Sequence, residues 1–248
     1  MKLSGNTVFI TGGSSGIGLQ LAGELLKRKN TVIICGRSKK KLIQAKQQWP
    51  NLFTYQCNLA DPLECQQLTQ KLKYHHPKLN VLINNAALVH KTSFLETDEI
   101  LEMATLETNT NFLAPVRLTK MLFEQLHASE SAAIINITTG LVYTPRADYP
   151  FYNATKAALH SFTKVLRMQL QPTGVKVVEV LFPAVKTPWH AGNPPRIAIS
   201  PEKAVQEMIR ELQKGKVEIR IGKVKLLYVL SRCFPKFALK KINGLSQN

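Results

Sequence analysis

Cysteine is scarce, with four residues in a chain of 248, and the four have neither zinc-ligand spacing nor the density of a disulfide scaffold. Cys35 and Cys57 sit inside apolar runs, which reads as buried, reduced thiols in a cytoplasmic protein, with no metal site expected. Long apolar runs are missing as well. The N-terminus offers only Val8, Phe9 and Ile10 before Gly12 and Gly13, far short of a secretory signal, and no run approaches a membrane span. Without secretory context, the sequons Asn136-Ile137-Thr138 and Asn153-Ala154-Thr155 read as accidental. Repeats, low-complexity tracts and linkers are absent too, which argues against solenoids and multidomain arrays. What remains is a globular balance of 44% hydrophobic and 20% charged residues, long enough for one large α/β domain over residues 1–248.

Acids are the other shortage. Asp and Glu number 16 against 33 Lys and Arg, giving a formal net charge of +17, and residues 214–241 hold nine basic residues against Glu218 alone. A solvated basic face is the ordinary explanation of this segment, which we extend to residues 214–248. Contact with anionic lipid headgroups is the less favoured alternative, and nucleic acid is disfavoured further.

Apolar, β-branched runs recur at 7–11, 31–35, 52–57, 81–84, 132–138 and 176–182, with helix-like stretches between them. This alternation predicts a doubly wound, largely parallel sheet with helices on both faces. Ligands in such sheets bind beyond the carboxyl ends of the strands, so residues just past each run carry the most weight. After Tyr152, apolar residues at three- and four-residue spacing predict an amphipathic helix ending near Pro172 and Gly174. Tyr152 and Lys156 share one face of its first turns.

Directly after the first run stands Thr11-Gly12-Gly13-Ser14-Ser15-Gly16-Ile17-Gly18, followed by a helical pattern through Lys29. Glycines let backbone turn tightly and approach a pyrophosphate, and a helix N-terminus offers free N–H groups to the anion. Strand, turn, helix is the context a dinucleotide site demands. Gly12 to Gly16 also fits the nucleophile elbow of α/β-hydrolases, but that fold places several strands and an oxyanion loop before its serine, and only eleven residues precede Gly12.

At the end of the second run come Gly36 and Arg37, then Ser38-Lys39-Lys40-Lys41. NAD binding calls for a carboxylate here to accept from the ribose hydroxyls, whereas an arginine suits a 2′-phosphate, so the expected cofactor is NADP(H). Tyr-x-x-x-Lys occurs twice. Tyr74 and Lys78 lie among His75, His76 and Pro77, which break any helix that could align them; Tyr152 and Lys156 open a clear helix after a strand.

Thr11-Gly-x-x-x-Gly-Ile-Gly18, Asn84-Asn85-Ala86 and Tyr152-x-x-x-Lys156, in this order and spacing, resemble the short-chain dehydrogenase/reductase family over nearly the whole chain. The runs Asn111-Phe-Leu-Ala-Pro115 and Phe182-Pro-Ala-Val-Lys-Thr187 are similar to its DltE-like subgroup. The resemblance implies a seven-stranded Rossmann fold and hydride transfer between NADP(H) and a carbonyl or alcohol of unspecified identity. It implies Tyr152 as general acid/base, aided by Lys156, Thr139 and Asn111. Cofactor contacts are implied for Gly12, Ser14, Ser15, Gly16, Ile17, Gly18, Arg37, Asn58, Leu59, Asn85, Ala86, Tyr152, Lys156, Pro183, Val185 and Thr187. A homo-oligomer is implied as well. The alternative is a catalytically weak, cofactor-binding regulator on the same fold.

Thr139 replaces the family's usual serine but retains its hydroxyl. Pro115, four residues after Asn111, lacks an N–H for the Asn111 carbonyl, where the family places an ordered water in its proton relay. Asn109 lacks that spacing. Ala87 and Ala184 replace frequent glycines, so both are expected at negative φ; Asn58 replaces a frequent adenine-contacting aspartate. Residues 187–200, with Pro188, Trp189, Pro194 and Pro195, read as a loop over the site, and Leu141, Pro145, Phe151 and Trp189 are candidates for an apolar substrate wall.

Overall fold

The computed structural model describes residues 2–95, 97–190 and 194–244. Strands β1 (Thr7–Thr11), β2 (Thr31–Gly36), β3 (Phe53–Gln56), β4 (Leu79–Asn84), β5 (Ala133–Thr139), β6 (Lys176–Phe182) and β7 (Glu218–Arg220) form one sheet. Their spatial order is β3-β2-β1-β4-β5-β6-β7, and every neighbouring pair is parallel. The chain starts at β1, winds outward to β3, then returns past β1 to β4. A crevice therefore opens between the carboxyl ends of β1 and β4, where the winding reverses.

Alternation along the strands feeds two cores. Val8 and Ile10 of β1 and Val81 and Ile83 of β4 face one side, where they meet Leu21 and Leu25 of α1 (Gly16–Lys27) and Met208 of α7 (Pro201–Gln213). Phe9 and Leu82 face the other, against Leu68 and Leu72 of α3 (Pro62–His75) and Leu118 and Leu122 of α5 (Ala114–His127). A side chain fully removed from water on this scale contributes about 1.5–3 kcal/mol. The strands are near-continuously apolar because helices cover both faces.

Local chemistry fixes the helix ends. Asp61 accepts from the N–H groups of Leu63 and Glu64 with Pro62 opening α3, and Ser200 caps α7 ahead of Pro201 in the same manner. Ser38 caps α2 (Lys39–Gln48). The helix after Tyr152 is α6 (Pro150–Leu170); a 3-10 turn over Gln171–Thr173 and Gly174 at φ +74° end it, as Pro172 and Gly174 predict. The other helices are α4 (Ile100–Thr108), α8 (Val224–Cys233) and α9 (Pro235–Gly244).

Between α4 and α5 the helix opens into a π turn over Asn109–Leu113, with the Ala114 N–H reaching back to the Asn109 carbonyl. Pro115, without an N–H, stands one residue later, so the ordinary four-residue ladder cannot continue unbroken. The run at 132–138 shifts by one residue, which makes Thr139 the last residue of β5. Among the described residues only Lys29 combines a side chain with positive φ, so Ala87 and Ala184 take the negative φ expected of them.

Candidate active site

The glycine-rich turn is shaped by contacts that a side chain would destroy. Gly12 turns at φ +64°, and a Cβ there would meet the Cα of Ala86 at 2.9 Å. A Cβ on Gly18 would stand 2.4 Å from the Gly12 carbonyl oxygen. The turn is tied to the end of β4: the N–H groups of Asn85 and Ala86 both donate to Thr11 Oγ1, at 2.9 and 3.0 Å. Asn85 Nδ2 donates in turn to the carbonyls of Thr11 and Gly12. Ser15 precedes α1 in extended conformation and forms no side-chain cap, and no acid occupies the first turn of the helix. The helix start is thus open to an anion, with a glycine surface that permits close approach, and the residues present fit a dinucleotide.

A cavity of about 660 Å³ runs from this turn across the carboxyl ends of the strands. Its described lining contains Arg37, Lys41, Arg146, Lys156, Lys223 and Lys241 and no Asp or Glu. Gly12, Ser14, Ser15, Gly16, Ile17, Gly18, Arg37, Leu59, Asn85, Ala86, Pro183, Val185 and Thr187 all line it, as do Thr139, Tyr152 and Lys156. Asn58 does not. Its side chain accepts from the Ala60 N–H and its own N–H donates to Glu64, while its neighbours Cys57 and Leu59 reach the cavity.

Tyr152 and Lys156, one turn apart on α6, meet the end of β5. The Thr139 hydroxyl hydrogen-bonds the Tyr152 side chain. Burial holds the Tyr152 phenol well above the ordinary tyrosine range; the Thr139 bond opposes this and the nearby Glu107 carboxylate adds to it. The phenol is therefore held in its neutral form. Lys156 is fully enclosed, and its Nζ donates to the Ile137 carbonyl at 2.8 Å. Burial lowers its pKa to about 8, and the field of Glu179 acts in the opposite direction.

Asn111 lies in the π turn, buried beneath the cavity and not on its wall. Its side chain accepts from the Leu88 N–H and donates to the Leu88 carbonyl, both at 2.7 Å, and also donates to Thr155 Oγ1. The amide thereby clamps the loop after β4 to α6. Asn109 instead accepts from Arg117. Trp189 follows Thr187 in a 3-10 turn, and its ring centroid lies 5.6 Å from that of Tyr152. Leu141 and Trp189 line the cavity; Pro145 and Phe151 do not. Of the expected covering loop, residues 191–193 lie outside the described residues. The decoy pair separates: Tyr74 is 82% exposed in the last turn of α3, and Lys78 lies beyond its end.

Several functional-looking groups escaped sequence reasoning. Glu179, in the middle of β6, is wholly buried; it accepts from Thr138 Oγ1 at 2.6 Å and lies 2.8 Å from His160 Nδ1. Tyr152, Lys156 and His160 form an i, i+4, i+8 stripe on α6, and an acid inside a β-branched run was the available clue. Glu107, equally buried, accepts from the backbone and ring nitrogens of His90. Nor was it foreseen that α8 and α9 would wall the cavity, through Leu227, Leu230, Ala238 and Ile242. Dense lysines hid their apolar periodicity.

Comparison with known proteins agrees with this architecture. Residues 6–196 match the family model described as short chain dehydrogenase. The chain is 44% identical to the uncharacterised oxidoreductase DltE of Bacillus subtilis, over 88% of this chain and 89% of that protein. A short-chain dehydrogenase from Burkholderia cenocepacia, solved with NADP, superposes with a TM-score of 0.85 over 98% of this chain and 99% of its own at 22% identity. A 3-ketoacyl-(acyl-carrier-protein) reductase from Brucella melitensis, solved with NADH, superposes with a TM-score of 0.80 at 20% identity, over 88% of this chain and 97% of its own. From its motifs, its all-parallel fold and these matches, the chain belongs to the short-chain dehydrogenase family, as an oxidoreductase.

Proposed function

We propose that this protein is an NADP(H)-dependent reductase or dehydrogenase acting on a carbonyl or alcohol, with Tyr152 as the proton-transfer group. The observation that carries the reading is one cavity, with no Asp or Glu in its described lining, containing the open start of α1, Arg37, and the Thr139–Tyr152–Lys156 group. The turn at Gly12 to Gly18 and the first N–H groups of α1 would hold the pyrophosphate. Arg37 would pair with the 2′-phosphate. Leu59, Asn85, Ala86, Pro183, Val185 and Thr187 would complete the walls, with Asn58 supporting the adenine end from outside the lining. When bound, the nicotinamide supplies or accepts the hydride.

Carbonyl reduction leaves negative charge on the substrate oxygen, which needs a positioned proton. Thr139 holds that oxygen by a hydrogen bond. The neutral Tyr152 phenol donates the proton, and the Lys156 ammonium favours the phenolate that remains. Asn111 positions the loop after β4, and by family resemblance its backbone carbonyl would anchor the water of the proton relay. Trp189 and Leu141 exclude water from the phenol.

The test is a panel of aldehydes, ketones and alcohols followed through NADPH absorbance. Turnover of any member supports the reading; tight NADPH binding with no turnover on the whole panel points to the regulator alternative. Affinity provides a second arm. A charge-assisted bond from Arg37 of about 1.5–3 kcal/mol makes NADPH bind roughly tenfold to hundredfold more tightly than NADH. Arg37→Asp should reverse the order, and equal affinities in the unmodified protein would contradict the assignment.

A further inference from the structure

The basic C-terminal segment folds into two short helices that pack on each other over the cavity. Their inner residues wall it. Large apolar side chains on and between them stay exposed among the described residues: Leu226 is 58% exposed, Phe234 62% and Phe237 55%, with Val229 and Leu239 exposed as well. Apolar residues scattered singly over a surface need no explanation, but five within fourteen residues concentrate exposed apolar area on this one helix pair.

Cations are interleaved with these residues. Residues 223–244 contain Lys223, Lys225, Arg232, Lys236, Lys240 and Lys241 and no Asp or Glu. Lys225 is held by Glu207 across the surface, and Arg232 lies over the Tyr228 ring. Lys236 and Lys240 are exposed beside Phe237 and Leu239.

Three kinds of partner could cover such a surface, and charge decides among them. A second copy meeting it symmetrically would set one net-cationic surface against another. A nucleic acid would satisfy the lysines but leave the phenylalanines against phosphate and sugar. An anionic bilayer satisfies both: headgroups attract the ammonium groups, and the phenyl and leucyl side chains enter the acyl boundary. Continuity with the cavity points the same way, since Leu226 belongs at once to the exposed apolar residues and to the cavity lining. No described helix is long and apolar enough to cross a membrane, so the contact is peripheral.

We propose that α8 and α9 form a docking surface for anionic lipid bilayers, seating the mouth of the cavity at the headgroup level. The inference does not depend on turnover, so it stands or falls separately from the enzymatic reading.

The experiment is co-sedimentation of the full chain with vesicles of phosphatidylcholine alone or mixed with phosphatidylglycerol, at low and high salt. Binding to the anionic vesicles at low salt, weakened by salt, with little binding to neutral vesicles, is the expected result. Lys236→Glu with Lys240→Glu should reduce partitioning about tenfold or more. Phe234→Ser with Phe237→Ser should reduce it to a similar degree, about tenfold, at either salt concentration. None of these four residues lines the cavity, so NADPH affinity reports whether the variants fold. Absence of wild-type binding to anionic vesicles at low salt overturns the proposal, as does binding indifferent to the phenylalanine changes. Duplex DNA binding as tight as vesicle binding and lost in both variants would assign the surface to nucleic acid. Self-association lost in both would assign it to a second copy.

Discussion

Lys156 is a buried amine that donates to the Ile137 carbonyl, and its charge depends on burial and on the more distant Glu179. Burial brings its pKa to about 8 and Glu179 pulls the other way, so the ammonium is present below that pH and lost above it. Because the protonated amine is the form that favours phenolate on Tyr152, carbonyl reduction should decline as pH rises through about 8. Glu179→Gln removes the supporting charge, retains hydrogen-bonding atoms toward Thr138 and His160, and should move that decline to lower pH in a kcat profile with NADPH affinity unchanged. Tyr143 is a second group in the field of Glu179, but burial pushes its phenol far above the ordinary tyrosine range against the opposing pull of Arg220, so its ionisation lies outside the relevant range. An unmoved profile would remove Glu179 from the account. Thr139→Ser should remain active because the hydroxyl survives, whereas Thr139→Ala should lose most turnover. That Tyr152 and Lys156 share a helix face was legible from their spacing, and Thr139 was implied by the family resemblance. Glu179 was not, because its meaning depends on β6 lying beside β5 and beneath α6, a long-range juxtaposition that no local pattern encodes.

At the scale of elements, the β1-turn-α1 unit carries the tightest steric demand. A Cβ on Gly18 would press on the Gly12 carbonyl at 2.4 Å and on Asn85 Nδ2 at 2.6 Å, against backbone that cannot move without opening the turn. Gly18→Ala should therefore cost about 1–3 kcal/mol in denaturant unfolding and weaken NADPH binding. Gly244→Ala, with nothing within 4 Å of the added atom, should be near neutral. Equal effects of the two would refute the steric argument. The first six strands were readable because their apolar runs are long and bounded by turn residues. β7 spans only Glu218–Arg220, too short for a periodic signal, and the basic segment around it concealed two helices. Pro115 foretold a broken hydrogen-bond ladder near Asn111; the π form of the break depends on packing against α6, which the sequence alone does not express.

For the whole molecule, the count of seven strands was legible only through family resemblance, while the alternation of strand and helix supplied the doubly wound class. Association belongs to this scale as well. α4 and α6 pack side by side and expose Leu101, Val165 and Met168, an apolar face on the opposite logic from the cationic helices α8 and α9. Light scattering at micromolar concentration should report a dimer or larger assembly, and Met168→Glu should shift it toward monomer; a monomeric wild type would contradict the expectation. The central claim is that the cavity joining the glycine turn to α6 performs hydride chemistry with Tyr152 as proton donor. The most direct measurement compares NADPH-dependent turnover in Tyr152→Phe and Tyr74→Phe on a confirmed substrate, with NADPH affinity measured alongside. Tyr152→Phe should lose about 100- to 10,000-fold in kcat while binding NADPH nearly as before, and Tyr74→Phe, altering an exposed side chain outside the cavity lining, should stay close to wild type. Full activity in Tyr152→Phe would contradict the mechanism even with the fold and cofactor site intact.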